Sequence, residues 1–180
     1  MIWLDKFVGF KVLGYFLTHP SEEIHLKELG RALEISPGSA KKYCDDLVAE
    51  GLIQENALGN LRLLRLNRED FAIKGMMRAY YLFEFKKLGI EKLAEGCTSL
   101  AIYGSFASGN FDERSDLDLL VIGEEADVSR DQVLEFQEKC GRDVQLTVLP
   151  YYRWGALKKE RYGFSESVLR NHVLVEGIEL

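Results

Sequence analysis

The sequence predicts a mixed α/β (α+β) chain in two parts, and three observations carry that prediction. Helical apolar periodicity dominates the first fifty residues and gives way to two strand-like runs at 52–55 and 61–66. A long helical pattern rich in aromatic residues follows at 70–88. From about residue 96 onward, short aliphatic strands alternate with polar turns and amphipathic stretches, the order of a mixed sheet flanked by helices. With 47% hydrophobic and 29% charged residues among 180, the chain can build a core, which excludes wholesale disorder. The longest unbroken aliphatic run, Leu119 to Ile122, is far too short for a bilayer span, and Asp5 interrupts the place of a signal peptide. The chain therefore reads as cytoplasmic, with no membrane partner. Cys44, Cys97 and Cys140 are scattered, without metal-ligand spacing, and read as free thiols.

The first helix is expected over Leu4 to Leu17, with Leu4, Phe7, Val8, Val12, Tyr15 and Phe16 on one stripe. Trp3, Phe10, Leu13 and Leu17 make the opposite side apolar as well, so a second copy is the expected cover and a homodimer the implied assembly. Leu26, Leu29 and Leu33 mark a short second helix. Ser36-Pro37 supplies an N-cap and a first-turn proline for a third, which runs to about Glu50 with Ala40, Cys44, Leu47 and Val48 inward and Gly51 as its left-handed stop. A turn at Asn56 to Asn60, with Gly59 taking positive φ, joins the two strands.

Three helices followed by a hairpin is the order of a winged helix, and the run from His25 to Tyr43 followed by Leu47-Val-Ala-Glu-Gly-Leu-Ile53 resembles the helix-turn-helix of archaeal and bacterial winged-helix regulators. The resemblance covers residues 1–70 and implies DNA as a partner. The third helix would enter the major groove, with Ser39, Lys41 and Lys42 at phosphates or base edges and Arg62 and Arg65 of the wing on the backbone. The net charge of −6 gives no global attraction to nucleic acid, and residues 1–70 hold nine basic against eleven acidic side chains. Any DNA contact must therefore come from a local patch. Residues 71–95 are expected to be connecting helices, Asp70 to Leu88 with Met77, Tyr81, Phe85 and Leu88 on one stripe, then Ile90 to Ala94. The aromatic residues there read as core at helical spacing, not as base-stacking platforms.

The chemistry lies in residues 96–180. Leu100 to Tyr103 is an apolar strand, Gly104-Ser105 follows it, and Phe106 to Gly109 starts a helix, a turn that aims backbone N–H groups and a hydroxyl at one spot and suits a phosphate. Ser115 to Ile122 is a second strand. Asp116 and Asp118 stand two apart on it, so both carboxylates leave one face while Leu117, Leu119 and Val121 leave the other. Two neighbouring anions beside a buried strand repel and lose hydration unless a divalent cation such as Mg2+ lies between them.

Gly104-Ser105 followed by Ser115-Asp116-Leu117-Asp118-Leu119 resembles the signature of the polymerase-beta-like nucleotidyltransferases, in their minimal form. The resemblance implies that Gly104 and Ser105 bind a nucleoside triphosphate, that Asp116 and Asp118 are catalytic and ligate two Mg2+ ions, and that a nucleoside monophosphate passes to an acceptor with release of pyrophosphate. The chain departs from the family at two places. Ser108 stands where members often carry Arg, and the register of the strand 143–149 puts Gln145 at the third carboxylate position, with Asp143 as the other candidate on the same face. A neutral amide is neither a base nor a strong magnesium ligand, which leaves a DNA-binding regulator with an inactive or nucleotide-sensing domain as the alternative function. The acceptor stays open among a small molecule, an RNA end and a hydroxyl of a modified partner protein.

The remaining segment adds structure more than chemistry. Pro150 opens an amphipathic helix, Val173 to Gly177 is a final strand or a helix exit, and His19, His25 and His172 are isolated.

Overall fold

The computed structural model describes residues 6–58, 61–161 and 163–180. The chain divides into two compact units, Met1–Tyr80 and Tyr81–Leu180. Leu4 and Trp3 of the expected first helix, and Gly59 and Asn60 of the expected turn, lie outside the described residues.

In the first unit, α1 (Val8–Thr18) buries Val12, Leu13, Phe16 and Leu17, so apolar residues from both of its sides are enclosed. Part of the cover on α1 comes from within the unit, while Phe7 is 58% exposed. Tyr43 lies against Gly9, Tyr80 lies against Gly14, and the Tyr80 ring stacks on Phe10 at 6.2 Å. Two residues of strand, β1 (Ile24–His25), precede α2 (Leu26–Ala32), a pairing with no period to announce it in the sequence. His25 and Glu28 form a reciprocal cap at the start of α2. At the start of α3 (Pro37–Ala49) the Ser36 hydroxyl accepts from Ser39 N at 3.0 Å, and Gly51 just beyond its end has φ +72°. Ala40 and Cys44 are fully buried, whereas Leu47 and Val48 are only half-buried.

The hairpin strands are β2 (Ile53–Leu58) and β3 (Leu61–Leu66), paired from Ile53 with Leu66 to Leu58 with Leu61. Asn56 therefore lies in the ladder and not in the turn, because its neighbours continue the alternation against β3. β1 completes a three-stranded sheet of order β1-β3-β2. Helix α4 (Phe71–Leu88) starts in this unit, with Ile73 and Met77 buried.

In the second unit, Tyr81 and Phe85 of α4 join Phe106, Phe111 and Phe136 in a cluster of rings with neighbouring centroids 4.3 to 5.8 Å apart. This is the core role that helical spacing predicts. Gly89 at φ +82° ends α4, and a 3₁₀ turn at Ile90–Leu93 follows. The sheet has the order β6-β5-β4-β7, built from β4 (Ser99–Tyr103), β5 (Leu117–Ile122), β6 (Val144–Leu149) and β7 (His172–Gly177). β4 runs antiparallel to β5 and β7, and β5 runs parallel to β6. That parallel pair needs a crossover, supplied by α6 (Arg130–Cys140), a helix the apolar pattern leaves unmarked because it buries only Val133 and Phe136. Helices α7 (Tyr151–Lys159) and α8 (Gly163–Arg170) bring Trp154 and Val168 onto Leu120, Ile122 and Leu149 of one sheet face. Leu117, Leu119 and Val121, fully buried, leave by the other face. Pro150 caps α7, and among the described residues no helix is long and apolar enough to cross a membrane.

Gly177 ends β7 opposite Ser99 at φ +92°, and a Cβ there would stand 2.1 Å from Thr98 O and 2.8 Å from Ser99 Cα. Gly177→Ala combines backbone strain with a collision against main chain that has no rotamer to escape by, and is expected to destabilise the fold by roughly 3 kcal/mol or more. Urea denaturation showing a loss under about 1 kcal/mol, or the gain of up to about 1 kcal/mol that glycine-to-alanine brings at an unstrained site, would contradict this.

Candidate active site

Four strands align one rank of side chains across the sheet. Gln145 on β6 opposes Asp118 on β5, Asp118 opposes Tyr103 on β4, and Tyr103 opposes His172 on β7. Tyr103 is held from below by Thr147, whose hydroxyl lies 3.1 Å from the phenol oxygen, and from the side by the Phe164 ring. His172 is engaged by Val168 O and by Glu179, which fits the structural part expected of it.

After Tyr103 the chain turns sharply into the single helical turn α5 (Gly104–Ser108). Gly104 has φ +70°, and a Cβ on it would stand 2.2 Å from Asp118 Oδ2, so the carboxylate lies directly over a glycine main chain. Phe106 and Ala107 are buried, whereas Gly104 is exposed and Ser105 half-exposed. The carbonyl of Ser105 accepts from Gly109 N, from Asn110 N at 3.0 Å and from the Ser108 hydroxyl at 2.9 Å. Ser108 thus closes the α5 turn by a local bond, where an arginine would reach outward.

β5 begins at Leu117, two residues later than the sequence pattern suggests, so Asp116 stands at the mouth of the strand and Asp118 inside it. Both are partly buried. Burial first, and the neighbouring Asp116 charge second, push the Asp118 carboxyl above its ordinary range. On Asp116 the load is shared differently: Gln145 Nε2 donates to its Oδ2 at 2.9 Å. Asp143 lies exposed ahead of β6, its carbonyl taken by Leu117 N at 2.8 Å.

Arg142 went unnoticed in the sequence, and it ties the site together. Its guanidinium donates to the carbonyls of Asp112 (2.5 Å) and Ser115 (3.3 Å) and to the Tyr81 hydroxyl (2.9 Å), and lies 5.4 and 5.5 Å from the centroids of the Tyr81 and Phe106 rings. The loop it grips is a turn in its own right. Ser115 Oγ accepts from Asp112 N and donates to Asp112 Oδ1, and Phe111 is fully buried against Phe106. Arg142 therefore connects the loop leading into Asp116 with the strand that carries Gln145. Nothing periodic marks such a residue; the only local signal is Gly141 before it, a helix stop at φ +65°. Arg142→Met is expected to cost roughly 2–4 kcal/mol in a urea titration, because two loop carbonyls and a buried phenol lose their donor together. Stability equal to wild type would show that water replaces all three bonds.

The residues named for DNA contact gather at α3 and the hairpin, but the structure engages most of them internally. Lys41 and Arg62 both pair with Asp45, at 2.6 and 2.5 Å, and Arg62 also pairs with Glu55 at 2.7 Å. Arg65 bonds Gln54 and approaches Glu23, and the Ser39 hydroxyl lies 2.9 Å from that of Ser36. Lys42 leans over the Tyr43 ring at 5.6 Å. Asp45, Glu55 and Glu23 thus serve as internal counter-ions to these basic side chains.

The two aspartates, hard oxygen donors with a desolvated and mutually repelling charge, fit one divalent cation such as magnesium whose other ligands are water and phosphate oxygens. Among the described residues, no group of three or more His, Cys, Asp or Glu side chains is placed to hold a metal ion.

Comparison with known families gives a match. Residues 88–172 match the model of a nucleotidyltransferase domain. No curated protein matches the chain. Solved structures resemble it loosely. A possible transcriptional regulator from Methanosarcina mazei Go1 has 17% identity and a TM-score of 0.35, over 47% of this chain and 74% of that one. A toxin-antitoxin crystal structure with AMP-PNP has 15% identity and a TM-score of 0.36, over 54% and 73%. Lactococcus lactis ZitR, a cysteine-to-serine mutant in complex with DNA, has 16% identity and a TM-score of 0.33, over 44% and 59%. Likenesses at this level carry nothing beyond their description. The matched residues include the whole rank from His172 to Gln145 together with Gly104, Ser105, Asp116 and Asp118.

Proposed function

We propose that the nucleotidyltransferase domain binds a nucleoside triphosphate with Mg2+ and transfers its nucleoside monophosphate to an acceptor hydroxyl. The observation that supports this best is Asp118, with Asp116 two residues before it, standing over the side-chain-free Gly104 at the start of the Gly104-Ser105 turn. Gly104 leaves room for the Asp118 carboxylate against the backbone, and the Ser105 hydroxyl of the same turn donates to the phosphate chain. Asp116 and Asp118 hold the cation, which when bound neutralises the triphosphate and polarises the acceptor hydroxyl. The acceptor oxygen bonds to the α-phosphorus as the bond to the β-phosphate oxygen breaks, so pyrophosphate leaves and the hydroxyl proton passes to solvent water. Gln145 takes no proton in this reaction, having no basic site. The acceptor is a small molecule, an RNA end or a hydroxyl of a partner protein.

We read the first unit as a winged helix that presents α3 to DNA, on the strength of the Ser36-capped helix and the hairpin after it. Binding through Lys42, and through Lys41, Arg62 and Arg65 once they exchange their carboxylates for phosphates, would be weak and steeply salt-dependent. No retention on DNA at low salt would remove this part. The second reading, a DNA-binding regulator whose domain senses the nucleotide without transferring it, is favoured by the Gln145 bond to Asp116.

Calorimetric titration of each nucleoside triphosphate with Mg2+ tests the central claim. Binding that needs the metal is expected for at least one of them. No binding of any would reduce the domain to a scaffold.

A further inference from the structure

We infer that Gln145 limits the site to a single divalent cation, carried in with the nucleotide; the inference rests on the triphosphate reading above and specifies its metal content. Two carboxylates offer four oxygens, but they are not equally free. Asp116 Oδ2 accepts the Gln145 amide at 2.9 Å. Asp118 Oδ2 faces the Gly104 main chain, where a Cβ would stand 2.2 Å away. One oxygen on each aspartate remains unencumbered, which suffices to share one ion. A pair of ions about 4 Å apart needs carboxylates that bridge with both oxygens and a further anionic ligand on one side.

The place where that further ligand would stand is fixed by the ladder. Gln145 is the residue opposite Asp118, and it presents an N–H edge, whose partial positive charge disfavours a cation beside it. Turning the amide to offer its oxygen would forfeit the bond to Asp116 and set two oxygens against each other. Asp143, two residues earlier, is displaced by roughly 6 to 7 Å along the strand and does not fill the position. Gln145 thus does for Asp116 what a second cation would do, relieving its charge with a donor that is not exchangeable. It is a positioning residue, and it also excludes the second metal.

Equilibrium dialysis with Mn2+ and the α,β-methylene analogues of the four ribonucleoside triphosphates reads this directly, as the ratio of manganese to nucleotide retained by the full chain. The expected ratio is one in wild type and two in Gln145→Asp, with Gln145→Ala remaining at one because it removes the donor without adding a ligand. Two ions per nucleotide in wild type or in Gln145→Ala would overturn the inference while leaving the nucleotide site intact. One ion in a Gln145→Asp protein that melts as wild type does would also overturn it. Nucleotide retained with no manganese would overturn the inference and the metal assignment together, and no nucleotide retained by any variant would overturn the triphosphate reading beneath both.

Discussion

Asp116→Asn/Asp118→Asn is expected to lose Mg2+-dependent triphosphate binding by at least about a hundredfold, because both charged ligands of the cation vanish while the shape of the site is kept. The same change should not weaken the fold, and Asp118→Asn alone should strengthen it near neutral pH. The sign follows from linkage. The Asp118 carboxyl of the folded chain is held above its ordinary range by burial and by Asp116, so the folded state binds that proton more tightly than the unfolded state. Stability contributed by this group is therefore greatest in acid and falls as pH rises from the ordinary aspartate value, about 4, through the raised folded value. Above that window the ionised group is a standing liability, which Asn removes. Urea midpoints of wild type and Asp118→Asn should converge towards about pH 4 and separate towards neutral pH, with the variant higher. A wild type that gains on the variant as pH rises would refute the account, as would undiminished nucleotide binding by the double variant.

Gly104→Ala is the other large effect, and it separates two costs that usually come together. The left-handed backbone at φ +70° disfavours any β-carbon by roughly 1–2 kcal/mol. At this position the new methyl would also meet Asp118 Oδ2 at 2.2 Å, forcing the carboxylate off its rotamer and away from Asp116. Gly141 is the internal control, with φ +65° and nothing within 4 Å of a built Cβ. Gly104→Ala should therefore be less stable than Gly141→Ala by a further ~1 kcal/mol, and should lose triphosphate affinity at least about tenfold where Gly141→Ala keeps it. In an Asp118→Ala background the two glycine variants should cost alike, since the collision partner is gone. Equal costs in the wild-type background would show that Asp118 moves aside freely.

What the sequence discloses and what it hides follow a physical division. Local chemistry is legible: Ser36-Pro37 and Gly51 announce the ends of α3, and the apolar runs 100–103 and 119–122 announce β4 and β5, the latter expected from Ser115. The site is legible in part for the same reason, since two aspartates on one strand must share a face; Gln145 is singled out only through the family resemblance, and its place opposite Asp118 comes from the ladder. Features that depend on distant approach are not. Helix α6 has too few apolar residues to show a stripe, β1 is too short to have a period, and the partners of Arg142 converge on it from separate segments of the chain. The charges of α3 and the hairpin were readable as candidates for DNA, but their mutual pairing through Asp45 is a product of the hairpin folding back on the helix. The second apolar face of α1 is real, and Tyr43 and Tyr80 of the same chain meet part of it.

The pairing of β4 with β7 sets a timetable for biosynthesis. β4 finds β5 soon after its own synthesis, yet its other edge waits for residues 172–177, and Ser99 meets Gly177 only after most of the domain has left the ribosome. Until then a row of unpaired amides on an apolar central strand is open to any passing extended segment. The nascent chain accordingly carries its Gly104-Ser105 turn and its aspartates before it has a finished sheet to hold them, and a ribosome stalled ahead of residue 172 would display a sticky intermediate, a natural client for chaperones that shield strand edges.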